Sequence, residues 1–351
     1  MLNMRITRSP LKEQEYQAIL KDYNRLTGVS IPLEEFVHWV TQAPVGPAWH
    51  AILETDEGRL VGHTSVFPLR TAYGGPELVP AKSEYSFLHE DFRSLKIRGF
   101  ENVPRPAFII LIDQLFQHCY AQGWGPIFAS TNERNQVFTR KVGLRPIEFP
   151  LWECLFVLRP SKAARHTPNL ESRQRVALFA AGLSHRILWS VSSLALRGTN
   201  GVQSIPVHAR SIEPETDRFA FFEDSASLQW RYLGGQYVRF ALKEAPEDYV
   251  IAKRGSHQRY LRVVQWRLQP AESYFPLILA LLREAQEEKA MGVRWAVYDD
   301  GETSTKLVKQ MRRAGFLCAR RIRTVMIHKK EPAFLEPKLW KINDSLFSFD
   351  P

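Results

Sequence analysis

The sequence predicts an α/β (α+β) protein built from two units, each a mixed, mostly antiparallel sheet flanked by helices. Three observations carry that expectation. The order hairpin, helix, strand, glycine-terminated helix, strand occurs twice along the chain. A length of 351 residues accommodates about two domains. With 44% hydrophobic residues there is enough apolar material for two cores.

Met4–Thr7 reads as a first strand, and Leu11–Leu26 as a helix with Tyr16, Ile19, Leu20 and Tyr23 on one face. Ile31–Val40 opens with Pro32, Glu34 and Glu35, which suit a helix N-terminus. Trp49–Glu54 and Arg59–Arg70 flank Thr55-Asp56-Glu57-Gly58, a hairpin signal. A second turn at Gly74-Gly75-Pro76 leads to the strand Ser83–Leu88. Pro106–Gln122 places Ile109, Ile112, Leu115 and Phe116 at helical spacing and stops before Gly123. Pro126–Ser130 is a short strand and Asn132–Val142 a shorter helix closed by Gly143. The strand Glu148–Leu158 then completes a first unit spanning 1–159.

Polar Pro160–Ser172 and an apolar helix Val176–Leu196, carrying Phe179, Leu188 and Trp189, form an expected linker over 160–212. The second unit, 213–330, contains a helix Ser225–Tyr232 and a hairpin of Tyr249–Arg254 with Arg259–Gln269 around Gly255-Ser256-His257. It continues with a helix Tyr274–Ala290, a strand Val293–Tyr298, a helix Ser304–Ala314 stopped at Gly315, and a strand Ile322–His328. Residues 331–351 read as a tail.

The formal charge of +10 favours anionic partners such as CoA, nucleotide sugars, nucleic acid or anionic lipid, or is a solvated surface. No charge-free apolar stretch reaches the roughly 18 residues of a membrane span; Val176–Leu196 is interrupted by His185 and Arg186. Met1–Arg8 lacks the apolar core of a signal peptide. Cys119, Cys154 and Cys318 lie far apart, without metal spacing, and are expected to be reduced, mostly buried thiols of a cytoplasmic protein. The histidines are scattered, so no metal site is expected. Neither a Walker loop, a Gly-x-Ser-x-Gly step nor a complete dinucleotide fingerprint is present.

The turn Asp91-Phe92-Arg93-Ser94-Leu95-Lys96-Ile97-Arg98-Gly99 joins strand to helix where a diphosphate can meet backbone N–H groups and basic side chains. The run His89–Ser94 (HEDFRS), the following helix, and Ile127–Ile147 (IFASTNERNQVFTRKVGLRPI) together resemble the acyl-CoA-binding half of the GNAT superfamily of N-acetyltransferases. The nearest flavour is a divergent branch associated with bacterial polysaccharide loci, and the resemblance covers about residues 1–158. It implies tandem GNAT-like units and acyl transfer from acetyl-CoA to an amine, either a small molecule or a glycan. It also implies cofactor contacts from Phe87, Leu88, His89, Arg93, Ser94, Leu95, Lys96, Arg98, Asn132 and Asn135. Asn132 is equally an N-cap for its helix. Counted from Arg93, Lys96 and Arg98 stand where the family uses small residues so that backbone can approach the pyrophosphate. No such turn lies between Gln269 and Tyr274, which makes the second unit a degenerate copy.

Acyl transfer to an amine needs a base and an acid for the leaving thiolate. Glu84, on the strand expected to open toward the thioester, is the candidate base, unless it simply pairs with a neighbouring Lys or Arg. Where family members carry a tyrosine acid this chain has Thr139 beside Phe138, so Tyr85, expected to alternate with Glu84 along the strand, is the candidate acid. Two other classes fit the same organisation. One is a tRNA-dependent aminoacyl transferase using the basic run Lys306, Lys309, Arg312, Arg313, Arg320, Arg321, Arg323, Lys329 and Lys330; the other is a non-catalytic scaffold.

Overall fold

The computed structural model describes residues 2–71, 79–98, 104–130, 139–166, 180, 182, 201–207, 220, 224–254, 260–269, 273–299, 301–328, 335–337 and 340. The first half runs β1 (Leu2–Arg8), α1 (Glu13–Thr27), α2 (Leu33–Thr41), β2 (Trp49–Thr55), β3 (Leu60–Pro68) and β4 (Val79–Leu88). A 3-10 turn (Glu90–Phe92), a ribbon of β5 (Lys96–Arg98) and β6 (Pro104–Pro106), α3 (Ala107–Ala121), β7 (Trp124–Ser130) and β8 (Leu144–Val157) follow. The second half comprises α4 (Pro160–His166), β9 (Val202–Ile205), α5 (Ser225–Arg231), β10 (Tyr237–Leu242), β11 (Tyr249–Lys253) and β12 (Leu261–Arg267). It ends with α6 (Phe275–Glu287), β13 (Gly292–Tyr298), α7 (Glu302–Arg313) and β14 (Leu317–His328).

Local chemistry sets these limits. The Lys12 N–H donates to Glu15 Oε2 at 2.8 Å, closing the start of α1, and Gly28 ends it in the left-handed region with φ 72°. Tyr16, Ile19 and Leu20 of α1 and Phe36, Trp39 and Val40 of α2 are buried against one face of the sheet; α3 covers the other with Ile109, Leu111, Leu115 and Phe116. Each such large apolar side chain contributes about 1.5–3 kcal/mol by leaving water.

Twelve strands form one sheet in the order β1-β2-β3-β4-β7-β14-β8-β13-β12-β11-β10-β9. Among the described residues only β4/β7 and β12/β13 are parallel. The centre is an exchange. β14, from the second half, lies between β7 and β8 and pairs with β8 from Leu317↔Leu155 to His328↔Leu144. β8, from the first half, pairs in turn with β13 from Leu151↔Tyr298 to Val157↔Gly292. The halves also meet through helices: His38 Nε2–H donates to the Trp230 carbonyl at 2.9 Å, and Trp230 Nε1–H to the Trp39 carbonyl at 3.3 Å.

Among the sequence-derived elements, the strands ending at Leu88, Val157 and His328 extend further toward the N-terminus than expected. β5, β6, β9 and β10 were not anticipated. Their segments are short and neither alternate cleanly nor carry helical spacing. One expectation is corrected: Cys154 and Cys318 face each other across the β8/β14 ladder and are joined as a disulfide, leaving Cys119 as the free buried thiol. The pairing depends on strand exchange, which brings residues 164 positions apart into register. The apolar segment 176–196 lies outside the described residues apart from 180 and 182. The turns at 74–76 and 255–257, and most of the tail, lie outside them altogether. Among the described residues no helix is long and apolar enough to cross a membrane.

Candidate active site

The two parallel junctions are where the sheet opens. β4 pairs with β7 only from Val79↔Trp124 to Lys82↔Phe128. Beyond that point β4 continues to Leu88, while β7 ends at Ser130, paired on its other edge with Val325 of β14. The segment Ser83–Leu88 therefore leaves its neighbour and presents a strand edge with no ladder partner in β7. An unpaired strand edge is a row of donors and acceptors able to receive an extended, amide-bearing ligand.

A bulge shapes this edge. The β3/β4 register passes from Ser65↔Glu84 to His63↔Phe87, so Thr64 alone opposes both Tyr85 and Ser86. Tyr85 takes φ 55°, in the left-handed region. The inserted residue changes which side chains share a face. Lys82 opposes Phe67 and Phe128, both in the core beneath α1 and α2, and Glu84 lies on that face two residues on. Tyr85 packs there too, edge-on to Phe36 at 4.8 Å and Tyr23 at 5.3 Å between ring centroids. The expected alternation of Glu84 and Tyr85 is thus corrected: the bulge places them on one face.

Glu84 is ion-paired with Lys82, whose side chain is 1% exposed against 17% for the carboxylate. The pair matches the simpler alternative for Glu84, and Lys82 was not singled out from the sequence. A Lys-x-Glu step on a strand, which puts both side chains on one face, was the available signal. Phe87 and Leu88 are buried on opposite faces, so toward a ligand in the opening they offer backbone. His89 is fixed between Arg59, at 3.2 Å from Nε2, and Asp91, at 3.2 Å from Nδ1.

The basic turn does not run directly into α3. Lys96 and Arg98 lie on the β5/β6 ribbon, paired with Pro106 and Pro104, and the Ala107 N–H that opens α3 donates to the Leu95 carbonyl at 2.9 Å. Arg93, Ser94, Leu95, Lys96 and Arg98 are exposed along this ribbon and the turn before it. Beside it is a cleft of ≈ 800 Å³ lined by Leu2, Met4, Phe92, Ile97 and Gln114, with Lys96 and Arg98 at its wall. Glu84, Tyr85, Phe87 and Leu88 thus share the open part of β4, and the cationic residues follow on the adjoining ribbon. Asn132 and Asn135 lie outside the described residues.

A buried histidine pair lies behind the bulge and was missed from the sequence. His63 Nδ1 is 2.9 Å from the Tyr85 carbonyl, His50 Nδ1 is 3.0 Å from His63 Nε2, and Ser9 Oγ is 2.7 Å from His50 Nε2. Tyr16 Oη donates to Ser9 Oγ at 3.2 Å and receives the Leu11 N–H at 2.9 Å. Burial pushes His63 down to about 4, against the hydrogen bond to Tyr85, which raises it. His50 lies well below the usual histidine range because of burial, then His63 and Arg5. The signal was hairpin register: the predicted turn at 55–58 makes residues 50 and 63 diagonal neighbours on one face.

The second half repeats the opening. β12 pairs with β13 only from Leu261↔Val293 to Val263↔Trp295, and the β11/β12 register shifts beside Val264. At the helix that follows, however, the protein uses the first donors itself. The Tyr274 N–H donates to Gln310 Oε1 at 2.7 Å, the Phe275 N–H to Ser273 Oγ at 3.2 Å, and Pro276 has none.

No family model and no curated protein matches the chain. Solved structures share its fold. A conserved protein of Enterococcus faecalis V583, a probable N-acyltransferase, superposes with TM-score 0.55 at 10% identity over 93% of this chain and 72% of its own. A candidate acetyltransferase from Pyrococcus horikoshii does so at 0.51, with 10% identity over 97% and 92%. A tandem GNAT protein of the clavulanic acid biosynthesis pathway covers 93% and 98% at 11% identity, with TM-score 0.49. At these identities the likeness is one of fold. The chain has a mixed α/β fold, with a large, mostly antiparallel sheet flanked by helices.

Proposed function

We propose that this protein is an acyl-CoA-dependent N-acyltransferase that moves an acetyl group to the amine of a small molecule, an amino sugar or polysaccharide precursor being the class to try first. The observation that carries this reading is the parting of β4 from β7 at a bulge, followed by a cationic ribbon leading into α3. The edge of Ser83–Leu88, beyond the β4/β7 ladder, suits the amides of a pantetheine arm. Arg93, Lys96 and Arg98 suit phosphates through charge-assisted hydrogen bonds, replacing with side-chain charge the close backbone approach that glycine would give.

When bound, acyl-CoA supplies the activated carbonyl. Glu84, oriented by Lys82, accepts the proton that the acceptor amine must lose, and the Tyr85 hydroxyl on the same face is the donor for the departing sulfur. The second half keeps its opening but caps the helix beyond it internally, so we assign catalysis to the first half.

An aminoacyl-tRNA donor is less well supported. In the basic run, Arg320 pairs with Asp299 at 2.9 Å and Arg321 reaches Glu153 at 3.7 Å, while Arg312 and Arg320 lie 4.6 and 5.1 Å from the Trp152 ring centre. Thermal unfolding with acetyl-CoA, alongside thiol release with a panel of amino sugars and other amines, tests the proposal. Acetyl-CoA at about 100 times its Kd should stabilise the fold by about 2.7 kcal/mol. No stabilisation and no thiol release would overturn it. Salt-steep tRNA binding without CoA turnover would move the assignment to the aminoacyl transferases.

A further inference from the structure

Building on the acyl-transfer reading, we propose that His63, held by His50, is a positioning residue: its ring fixes the Tyr85 carbonyl, and with it the bulge that turns Glu84 and Tyr85 onto one face where β4 leaves β7. A residue other than glycine in the left-handed region costs about 1–2 kcal/mol, so the conformation persists only where its surroundings impose it. Tyr85 is the inserted residue, opposite Thr64, and its carbonyl is met by a side chain of β3, His63 Nδ1 at 2.9 Å.

That carbonyl can only accept, so His63 holds a proton on Nδ1, and since burial keeps the ring neutral the remaining protons behind it are set as well. His63 carries its proton on Nδ1 and accepts at Nε2, so His50 donates from Nδ1 and accepts from Ser9 at Nε2. Tyr16 donates to Ser9 and accepts the Leu11 N–H. The result is a single-direction chain from a backbone amide at the start of α1 to the bulge, in which both rings are neutral. The other neighbours agree. His63 has the Phe87 ring at 5.9 Å and His50 the Tyr16 ring at 6.4 Å, and the nearby cation Arg5 is paired with Glu15 and Glu54. No carboxylate hydrogen-bonds to either ring among the described residues, so nothing favours a second proton. Two apolar residues would fill this space without a hydrogen-bond chain. What the histidines add is a donor aimed at one irregular carbonyl, beside the proposed base and acid.

Substitution separates positioning from packing. In His63→Asn the Nδ2 amide stands near the place of ring Nδ1 and keeps the donor, whereas His63→Phe keeps the ring and loses it. With acetyl-CoA and an accepted amine, the Phe variant should lose about 10- to 100-fold in kcat, with KM for acetyl-CoA changed less than about threefold; Asn should recover most of the loss. A Phe variant with wild-type kcat, or an Asn variant no better than Phe, overturns the proposal. Ring nitrogen-15 spectra of the unmodified protein at neutral pH give a test independent of folding variants. Both rings should be neutral with the proton on Nδ1, and a charged ring or an Nε2 proton overturns the assignment. If the wild type turns over no amine at all, it is the acyl-transfer reading that fails. Hydrogen exchange at Glu84–Ser86 then decides the positioning role: faster in Phe but not in Asn supports it, and unchanged exchange in Phe overturns it.

Discussion

Acidification should loosen this protein through its histidine pair, and the size of the effect follows from burial. His63 is pushed down to about 4 in the folded protein, against about 6.5 in an unfolded chain. Between those values the unfolded state binds the proton more readily. The stability of the neutral ring is therefore complete above about pH 6.5 and is lost as pH falls toward 4. At about 1.4 kcal/mol per pH unit, the step from pH 7 to pH 5 removes about 2 kcal/mol through His63 alone. His50 is shifted in the same direction by burial, by His63 and by Arg5, and adds to the loss. The assay is urea unfolding at pH 7, 6 and 5, comparing the wild type with the double variant His50→Asn, His63→Asn. Every other residue is common to the two proteins, so the difference between the curves isolates the histidines. Stability that falls equally in the two proteins would refute the reasoning.

Other outcomes follow from the same geometry. Glu84→Gln should lower kcat by about 100-fold while acetyl-CoA still binds; an unchanged kcat would remove Glu84 from the mechanism. Replacing Arg93, Lys96 and Arg98 together with Ala should weaken acetyl-CoA binding about tenfold or more and flatten its salt dependence, and an unchanged Kd would relocate the phosphates. At Gly292 a Cβ would stand 1.8 Å from the Phe156 carbonyl oxygen across the β13/β8 ladder. Gly292→Ala should accordingly cost about 3 kcal/mol or more in urea unfolding, and a variant of wild-type stability would contradict that register.

Much of the candidate site was legible because it depends on periodicity and local charge. The strand ending at Leu88, the helix after Pro106 and the intervening cations are visible as alternation, helical spacing and composition. The bulge was not. An extra residue in one strand shows only against its partner, and Tyr85 gives no glycine to mark its positive φ. That single insertion reversed the expected relation of Glu84 to Tyr85. The His50–His63 contact was hidden for a related reason: alternation assigns each ring to a face, but only paired register makes them neighbours. Lys82 stands in the strand as an ordinary cation until register places Phe67 and Phe128 on either side of it.

The exchange of β8 and β14 changes how charge and length should be weighed in such a chain. Each long strand pairs with the other along Leu144–Leu155 and Leu317–His328, and each also closes the other half's sheet. Nothing in a strand's own alternation names its neighbour, so two half-sheets completed by each other's last strand read in sequence like two separate units. The basic run shows the consequence. Along the chain from Lys306 to Arg323 it contains no acid, which invites a nucleic-acid surface. The exchange sets Glu153 of β8 against Arg294 and Arg321, Asp299 against Arg320, and Trp152 beneath Arg312 and Arg320. Exposed pairs of this kind contribute little to stability, about 0–1 kcal/mol each. They also neutralise charge that a phosphate backbone would otherwise meet. The cations of the β5/β6 ribbon are different in kind: Arg93, Lys96 and Arg98 are exposed on the turn and ribbon that follow β4, and Lys96 and Arg98 stand at the wall of the cleft lined by Leu2 and Met4 of β1, where they are open to the phosphates of the proposed donor.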